Sequence, residues 1–209
     1  GSATDFDQEA YYETLRRTWR MDKIIQLNLD VMDKYDPKHR VGLIVDEWGT
    51  WHLVEEGTNP GFLYQQNAMR DAIVAGLTLN IFNKHTDRVR MANIAQTINV
   101  LQAVALTDGE QMLLTPTYYV FKMYKDHQEN TLLGSYITSR NIIDNGKLPH
   151  LVESASIKED GTIISTIVNT SMTESAEVDC QIASDNVAGA AMATQFIVDQ
   201  LGEGAVVAE

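Results

Sequence analysis

Helical periodicity dominates the start of the chain. Apolar side chains recur at three- and four-residue steps over residues 7–35, as expected for a helix with one face towards a core. Asp7 precedes the pattern as an N-cap, and Asp36-Pro37 follows it as a stop, because proline disfavours the helical conformation in the preceding residue. We therefore predict a long amphipathic helix over residues 7–35. Its buried stripe comprises Leu15, Trp19, Ile25, Leu29 and Met32.

A short apolar run, residues 41–45, follows this helix. It is rich in β-branched residues and lacks polar alternation, which predicts a parallel strand buried on both faces. The run ends abruptly at Asp46-Glu47-Trp48, so these carboxylates are expected at the C-terminal end of the strand. Strict alternation would place Asp46 and Glu47 on opposite faces.

Helical and extended patterns then alternate up to about residue 130. The predicted elements are a helix over 62–84, a strand over 87–92 and a helix over 117–128, with residues 96–106 compatible with either helix or strand. This succession predicts a parallel α/β arrangement.

The pattern changes after residue 130. Alternating Ser, Thr and Val over residues 151–182, with a turn at Asp160-Gly161, predict antiparallel strands. In such a strand one face would carry Val178, Cys180 and Ile182. Residues 188–201 are Ala-rich and predict a helix.

Composition narrows the class of protein. The chain has 209 residues, of which 44% are hydrophobic and 22% charged, as in globular proteins. A net charge of −13 disfavours nucleic acid and anionic membranes as partners. No apolar run is long enough to span a bilayer, and the first residues lack the features of a signal peptide. With a single cysteine, Cys180, the sequence suits a reducing cytoplasm.

The number of predicted elements limits the architecture. Two strands and three helices precede residue 130, whereas a complete (β/α)₈ barrel needs about 250 residues. If this region is a barrel, the sequence predicts only its last part.

Glu47 is the leading candidate for chemistry. Active sites of parallel barrels lie at the C-terminal ends of the strands, where a carboxylate can act as nucleophile, base or metal ligand. The alternative, equally compatible with the spacing, is a structural salt bridge to Arg88 or Arg90.

Aromatic and amide side chains lie near both predicted strand ends. Trp48 and Trp51 can form a sugar-stacking wall, although aromatics at strand ends are more often core. Four amides, which can orient a hydroxyl-rich ligand or satisfy loop backbone groups, are Asn93, Gln96, Asn99 and Gln102. We favour the backbone role for these amides. The five histidines have no metal-ligand spacing, and no Gly-rich phosphate loop is present, so no metal or organic cofactor is expected.

Long ordered motifs carry a family resemblance. They are GSATDF, RRTWRMD, MDKYDP, GLIVDEWGTW, EEGTNPGFLYQQN, NIFNKHTDRVRMANIAQTINVLQ and LTPTYYVFKMYK. Over residues 1–178 the chain resembles the C-terminal part of α-L-arabinofuranosidases of glycoside hydrolase family 51. The resemblance implies the last part of a (β/α)₈ barrel over residues 1–130, followed by an incomplete antiparallel β-sandwich of jelly-roll type over residues 131–180.

The resemblance also implies roles for the candidate residues. Glu47 would be the nucleophile at the end of the seventh strand, and Gln96 would hydrogen-bond arabinofuranose at the end of the eighth. Trp48 and Trp51 would line the pocket. The family retains configuration at the anomeric carbon, acts on arabinofuranose-containing oligosaccharides and commonly forms oligomers.

The sequence departs from the family in two respects. The family's acid/base glutamate, on the fourth strand, and a His and a Tyr from the sixth have no counterpart here. Loss of a positioned acid costs about 10²–10⁴-fold in rate. Residues 181–209 instead resemble a strand–helix–strand unit of ribose-type periplasmic sugar-binding proteins.

We therefore expect a fragment of a cytoplasmic retaining α-L-arabinofuranosidase that acts on terminal arabinofuranosyl groups of arabinan or arabinoxylan. Three alternatives stay open. The chain can be one half of a split enzyme whose partner chain supplies the missing strands. It can be a sugar-binding module without hydrolysis, or a gene-assembly product without a stable fold.

Overall fold

The first helix matches the predicted pattern. The computed structural model describes residues 1–143 and 147–182 of the chain, and its helix α1 spans Gln8–Tyr35. The Asp7 carboxylate accepts the N–H of Ala10 at 2.8 Å, as an N-cap does. Leu15, Ile25 and Leu29 are buried, and α1 ends before Asp36.

Two further helices lie among four strands up to residue 124, and the elements beyond it are mostly strands. The helices are α2 (Met69–Lys84) and α3 (Pro116–Tyr124), and single 3₁₀ turns span Pro60–Phe62 and Lys125–His127. The strands of the described part are β1 (Leu43–Trp48), β2 (Val89–Ile94), β3 (Ala105–Asp108), β4 (Gln111–Leu114), β5 (Thr131–Leu133), β6 (Asn141–Ile143), β7 (Leu148–Pro149), β8 (Leu151–Ile157) and β9 (Ile163–Asn169).

Helix α2 begins at Met69, so the predicted start at residue 62 is wrong. Leu63 has a left-handed backbone conformation with φ of 52°, which ends the 3₁₀ turn before it. Its carbonyl oxygen accepts the N–H of Leu101 at 3.0 Å. Because this contact is made with a loop nearly forty residues away, local periodicity does not reveal it.

The two predicted α/β strands pair in parallel. β1 and β2 lie side by side, with α2 between them in sequence. The prediction that β1 is buried on both faces is wrong, because Ile44 is 54% exposed. Leu43 and Val45 pack on the core, whereas the opposite face of this two-stranded sheet is not covered by any element that the structure describes.

The core links both halves of the chain through α2. One cluster joins α1, β1 and α3 around Ala75 and Phe82, and a second joins α1 to β7 and β8 around Leu77. At Gly76 a side chain would lie 2.9 Å from Val168 Cγ2, so glycine allows the close approach of α2 to β9. Asn80 ties the same helix to the sheet by donating to the Val152 carbonyl at 3.0 Å.

The predicted antiparallel strands form a sheet with order β5-β8-β9. Asp160-Gly161 forms the predicted turn between β8 and β9, and Gly161 has a φ of +87°. β3 and β4 form a separate hairpin, so the ambiguous segment 96–106 is mainly loop that enters β3 at residue 105.

The chain divides into two units, residues 1–174 and residues 175–209. Residues 175–182 have no regular secondary structure, so the predicted strand face at Val178, Cys180 and Ile182 is wrong. A strand needs a hydrogen-bonded neighbour, and none pairs with these residues in the described part of the chain. The predicted helix over 188–201 and nearly all of the segment 181–209 lie outside the described residues.

Candidate functional site

Glu47 lies where β1 bulges. Val45 pairs with Ala92 and Trp48 pairs with Ile94, so Asp46 and Glu47 together oppose the single residue Asn93. Bulges interrupt the regular alternation of a strand and often lie beside active sites. Both carboxylates are consequently exposed, although strict alternation would place them on opposite faces.

The predicted alternative role for Glu47, a salt bridge, is not observed. Arg88 instead binds Asp33 at 2.7 Å and Asp36 at 3.0 Å, and Arg90 donates to backbone carbonyls close to it in sequence. Within the described ranges, Glu47 therefore presents a carboxylate that is not neutralised by a cation.

The two candidate tryptophans lie in different environments. Trp48 is only 4% exposed; its ring stacks on Phe121 with centroids 6.0 Å apart and meets Phe82 edge-on at 5.5 Å. Trp51 is 69% exposed. Both residues border a cleft of about 440 Å³ between α1 and the segment Trp48–His52. Trp48 is thus mainly a core residue, and Trp51 offers its ring to this cleft.

A buried polar cluster holds the segment that follows Glu47. Gly49, with a φ of +134°, turns the chain away from β1. The Thr50 hydroxyl then donates to Asp71 Oδ1 at 2.6 Å, and Asp71 Oδ2 accepts the N–H of Ala68 at 2.8 Å. Asp71, fully buried in the first turn of α2, therefore joins that helix to the segment after β1.

Two glutamines complete the cluster. Gln102 accepts the N–H of Thr50 at 2.8 Å and donates to the Asp71 carbonyl at 2.8 Å. Gln65 accepts the N–H of His52 at 2.8 Å. Because both amides are fully buried and hydrogen-bonded, they fix the backbone on either side of Trp51.

Arg70 connects this cluster to the start of the chain. Its guanidinium donates to the carbonyls of Ser2 and Ala3 and lies 3.8 Å from the ring centre of Phe6. The same guanidinium lies 2.8 Å from His52 Nε2. Burial lowers the pKa of Arg70 from its usual value, and the neighbouring Asp71 carboxylate acts in the opposite direction.

Of the four amides in the predicted cluster, some have hydrogen-bonded side chains and others do not. Asn99 pairs with Thr107 through both its amide nitrogen and its oxygen, so the backbone role expected for the four amides is confirmed for Asn99 and Gln102. It is wrong for Asn93 and Gln96, whose side chains make no hydrogen bond within the described part of the chain. Gln96 is exposed and borders a second cleft of about 630 Å³, together with Phe62 and Tyr64. Glu47 borders neither of these two clefts.

Comparison with known proteins identifies the family. The profile described as "Alpha-L-arabinofuranosidase C-terminal domain" matches residues 46–202. The chain belongs to this family. The predicted resemblance to family 51 is confirmed, and the match extends past residue 181, where we expected it to stop.

Individual arabinofuranosidases agree with this assignment. An intracellular exo-α-L-arabinofuranosidase of Bacteroides ovatus is 46% identical over 180 residues, covering 85% of this chain and 35% of the relative. The crystal structure of the GH51 arabinofuranosidase from Xanthomonas axonopodis pv. citri has 49% identity and a TM-score of 0.78, covering 81% of this chain and 35% of that one. The crystal structure of the Thermotoga maritima α-L-arabinofuranosidase in complex with arabinose has 25% identity and a TM-score of 0.66. This match covers 76% of this chain and 35% of that one.

This chain corresponds to only a part of the arabinofuranosidases that it resembles. The chain spans about a third of the length of these relatives. It is a C-terminal region of family 51 enzymes with mixed helices and strands, and the sheets in its described part are not closed. No helix among the described residues has the length and apolar character to cross a membrane. Nor do these residues bring three potential metal-ligating side chains together.

Sequence reasoning missed several residues around the candidate site. Phe62 and Tyr64 belong to the family motif EEGTNPGFLYQQN, and two aromatic residues within three positions of Gly61 could have indicated a binding loop. Arg70 and Asp71 had no such signal, because helical periodicity does not distinguish them from ordinary surface charges.

Proposed function

We propose that this chain is the C-terminal part of a retaining α-L-arabinofuranosidase, with Glu47 as the catalytic nucleophile. The observation that carries the proposal is the bulge at the C-terminal end of β1, which exposes an unneutralised Glu47 within a segment of the arabinofuranosidase family. Membership of that family supplies the reaction class.

The proposed chemistry is a double displacement. The Glu47 carboxylate attacks the anomeric carbon of a terminal arabinofuranosyl group while a second carboxylic acid protonates the leaving oxygen. Water then hydrolyses the glycosyl ester, with the second group acting as base. Gln96 would hydrogen-bond the arabinofuranose, and Trp48 and Trp51 would border the pocket. Cofactors take no part in this mechanism.

The rest of the barrel must supply the acid. We propose that residues 1–130 contain the last two strands of a (β/α)₈ barrel, that residues 131–180 contribute to a jelly-roll sandwich and that residues 181–209 form a divergent tail. Exposed Ile44 and Met91 support this, because they give β1 and β2 an apolar face that a closed barrel would bury. The other strands come from elsewhere in the enzyme or from a partner chain.

The names of relatives suggest the substrate and the compartment. The Bacteroides ovatus relative is called an intracellular exo-α-L-arabinofuranosidase. We therefore propose terminal arabinofuranosyl groups of arabinan or arabinoxylan oligosaccharides as substrates, and a cytoplasmic location. A homo-oligomer is proposed on the family resemblance alone.

Complementation tests this function. The 209-residue chain is mixed with the N-terminal two thirds of the Bacteroides ovatus relative, and hydrolysis of a chromogenic α-L-arabinofuranoside is measured with each part alone and together. We expect turnover of the mixture only, lost in Glu47→Gln and retained in Asp46→Asn, its exposed neighbour. Turnover that survives Glu47→Gln, or a stable assembly without turnover, would overturn the proposal.

A further inference from the structure

We infer that the cleft bordered by Phe62, Tyr64 and Gln96 binds the neutral sugar unit next to the terminal arabinofuranosyl group, and so selects the oligosaccharide. The inference rests on the proposed function for its substrate class. It assigns to Phe62 and Tyr64 a specificity role that the nucleophile chemistry does not require.

The walls of the cleft are preformed. Asn59 accepts the N–H of Gly61 at 2.9 Å and caps the 3₁₀ turn Pro60–Phe62, which carries the Phe62 ring. The loop opposite is closed by the bond from the Gln96 N–H to the Val100 carbonyl at 3.0 Å. The bond from Leu101 to the Leu63 carbonyl joins the two walls. A preformed cleft spares a ligand the entropy cost of ordering the site.

The chemistry of the lining suits a sugar. Phe62 is 70% exposed on a capped turn, so its ring is accessible to a ligand and is not packed in the core. Aromatic rings stack on the apolar C–H faces of sugar rings, and an amide both donates to and accepts from hydroxyl groups. In the part of the chain that the structure describes, the Gln96 side chain has no hydrogen-bond partner, whereas nearby Asn99 is fully engaged with Thr107.

Charge distinguishes the two clefts. The cleft at Phe62 has no charged residue in its lining, and its volume of about 630 Å³ lies in the range of small-ligand sites. The cleft at Trp51 is bordered by charged side chains, among them Glu13, Arg17 and Arg70. A neutral oligosaccharide that binds in the uncharged cleft does not bury any charged side chain of the lining, which avoids the free-energy cost of desolvating a charge.

The position of Gln96 indicates which sugar unit of the substrate the cleft binds. Gln96 follows β2 by two residues, at the same end of the parallel pair as Glu47. If Gln96 contacts the terminal arabinofuranose, the aromatic wall beyond it is reached by the next sugar unit. Phe62 and Tyr64 are then specificity residues that touch the leaving part of the substrate.

Nuclear magnetic resonance tests this on the full 209-residue chain without requiring turnover. The ¹⁵N-labelled protein is titrated with arabinose, with an α-1,5-linked arabinotriose and with an arabinosylated xylotriose. We expect either trisaccharide to shift the amide signals of residues 58–64 and the side-chain amide of Gln96, and to bind more tightly than arabinose. The two trisaccharides show which backbone sugar the cleft prefers.

Variants assign the binding to the cleft. Phe62→Ala should weaken trisaccharide binding about three- to tenfold, the range expected for one lost aromatic contact. Tyr136→Ala is the matched control, because Tyr136 is 69% exposed and lies outside this cleft. Phe62→Tyr should restore binding, and circular dichroism checks that each variant is folded.

Three outcomes would overturn the inference. They are signal changes confined to the cleft at Trp51, equal binding by Phe62→Ala and wild type, and no binding of either trisaccharide. These results are independent of the nucleophile, because the titrations measure binding to the Phe62 cleft and not turnover. Loss of turnover in Glu47→Gln with no cleft binding would keep the proposed function and reject the specificity role.

Discussion

The Thr50 hydroxyl donates a 2.6 Å hydrogen bond to Asp71 Oδ1, and this bond joins the segment after Glu47 to the first turn of α2. The two residues are 21 positions apart in the chain and both are buried. The contact is charge-assisted, which makes it stronger than a bond between neutral groups. It fixes the backbone that carries Trp51, between the bulge of β1 and the helix.

The Asp71 contact predicts a stability loss on a conservative change. Asp71→Asn should lower the free energy of unfolding by about 1–3 kcal/mol, because one buried donor then faces an amide N–H₂ instead of an acceptor. Urea denaturation measures this. Asp108→Asn, which changes an exposed aspartate on β3, should shift stability by less than about 0.5 kcal/mol. Equal stability of Asp71→Asn and wild type would mean that the cluster does not hold this segment.

Truncation of the two tryptophans should reduce the free energy of unfolding by very different amounts. Trp48→Ala should cost about 3–5 kcal/mol of stability, because it leaves a cavity between Phe82 and Phe121. Trp51→Ala should change stability by less than about 0.5 kcal/mol, since its ring is 69% exposed. Thermal unfolding of the two variants decides this, and similar losses in both would contradict the different burial of the rings.

Trp51→Ala should instead raise KM for hydrolysis by the complemented enzyme, because the proposed pocket places the Trp51 ring beside the substrate. The matched readout is KM for the chromogenic arabinofuranoside, measured beside unfolding on the same variant. An unchanged KM and kcat would remove Trp51 from the proposed pocket while leaving Glu47 untouched.

Acid should weaken the junction after α1. The N–H of Val41 donates to the Asp36 carboxylate, and with the guanidinium groups of Arg40 and Arg88 it lowers the Asp36 pKa from 3.8 to about 2, against the opposing effect of burial. Because the folded-state pKa lies below the ordinary value, the stabilisation is fully present above pH 3.8 and is lost as the pH falls through about 2.

Comparing wild type with Asp36→Asn across this pH range tests the prediction. The wild type should be more stable near neutral pH, and the difference should shrink between about pH 4 and pH 2. Asp108→Asn serves as the control for general charge effects. A difference that stays constant down to pH 2 would contradict the lowered pKa.

Local patterns predicted most of the elements correctly. Asp7, the stripe of α1 and the stop at Asp36-Pro37 are encoded within a few residues of each other, so periodicity and capping suffice to find them. The run before Glu47 predicted a parallel strand for the same reason. The turn at Asp160-Gly161 needs only its own two residues.

Long-range contacts account for the errors. The exposure of Ile44 depends on which strands and helices cover the sheet. Leu63, which lies in the segment predicted as helix, instead bonds distant Leu101 through its carbonyl oxygen. The cluster around Asp71 joins residues up to 52 positions apart, as in the bond between Thr50 and Gln102. A single sequence carries no local signal for such contacts. The family motifs placed Glu47, but its bulge became visible only through the pairing of β1 with β2.

Covalent trapping tests the role of Glu47 most directly. The complemented enzyme is incubated with an arabinofuranoside whose aryl leaving group departs without an acid, and the reaction is quenched for intact mass and peptide mapping. We predict one added arabinofuranosyl unit on Glu47, present in Asp46→Asn and absent in Glu47→Gln. Rapid turnover with the label on another residue, or an unchanged label in Glu47→Gln, would contradict the assignment of Glu47 as the nucleophile.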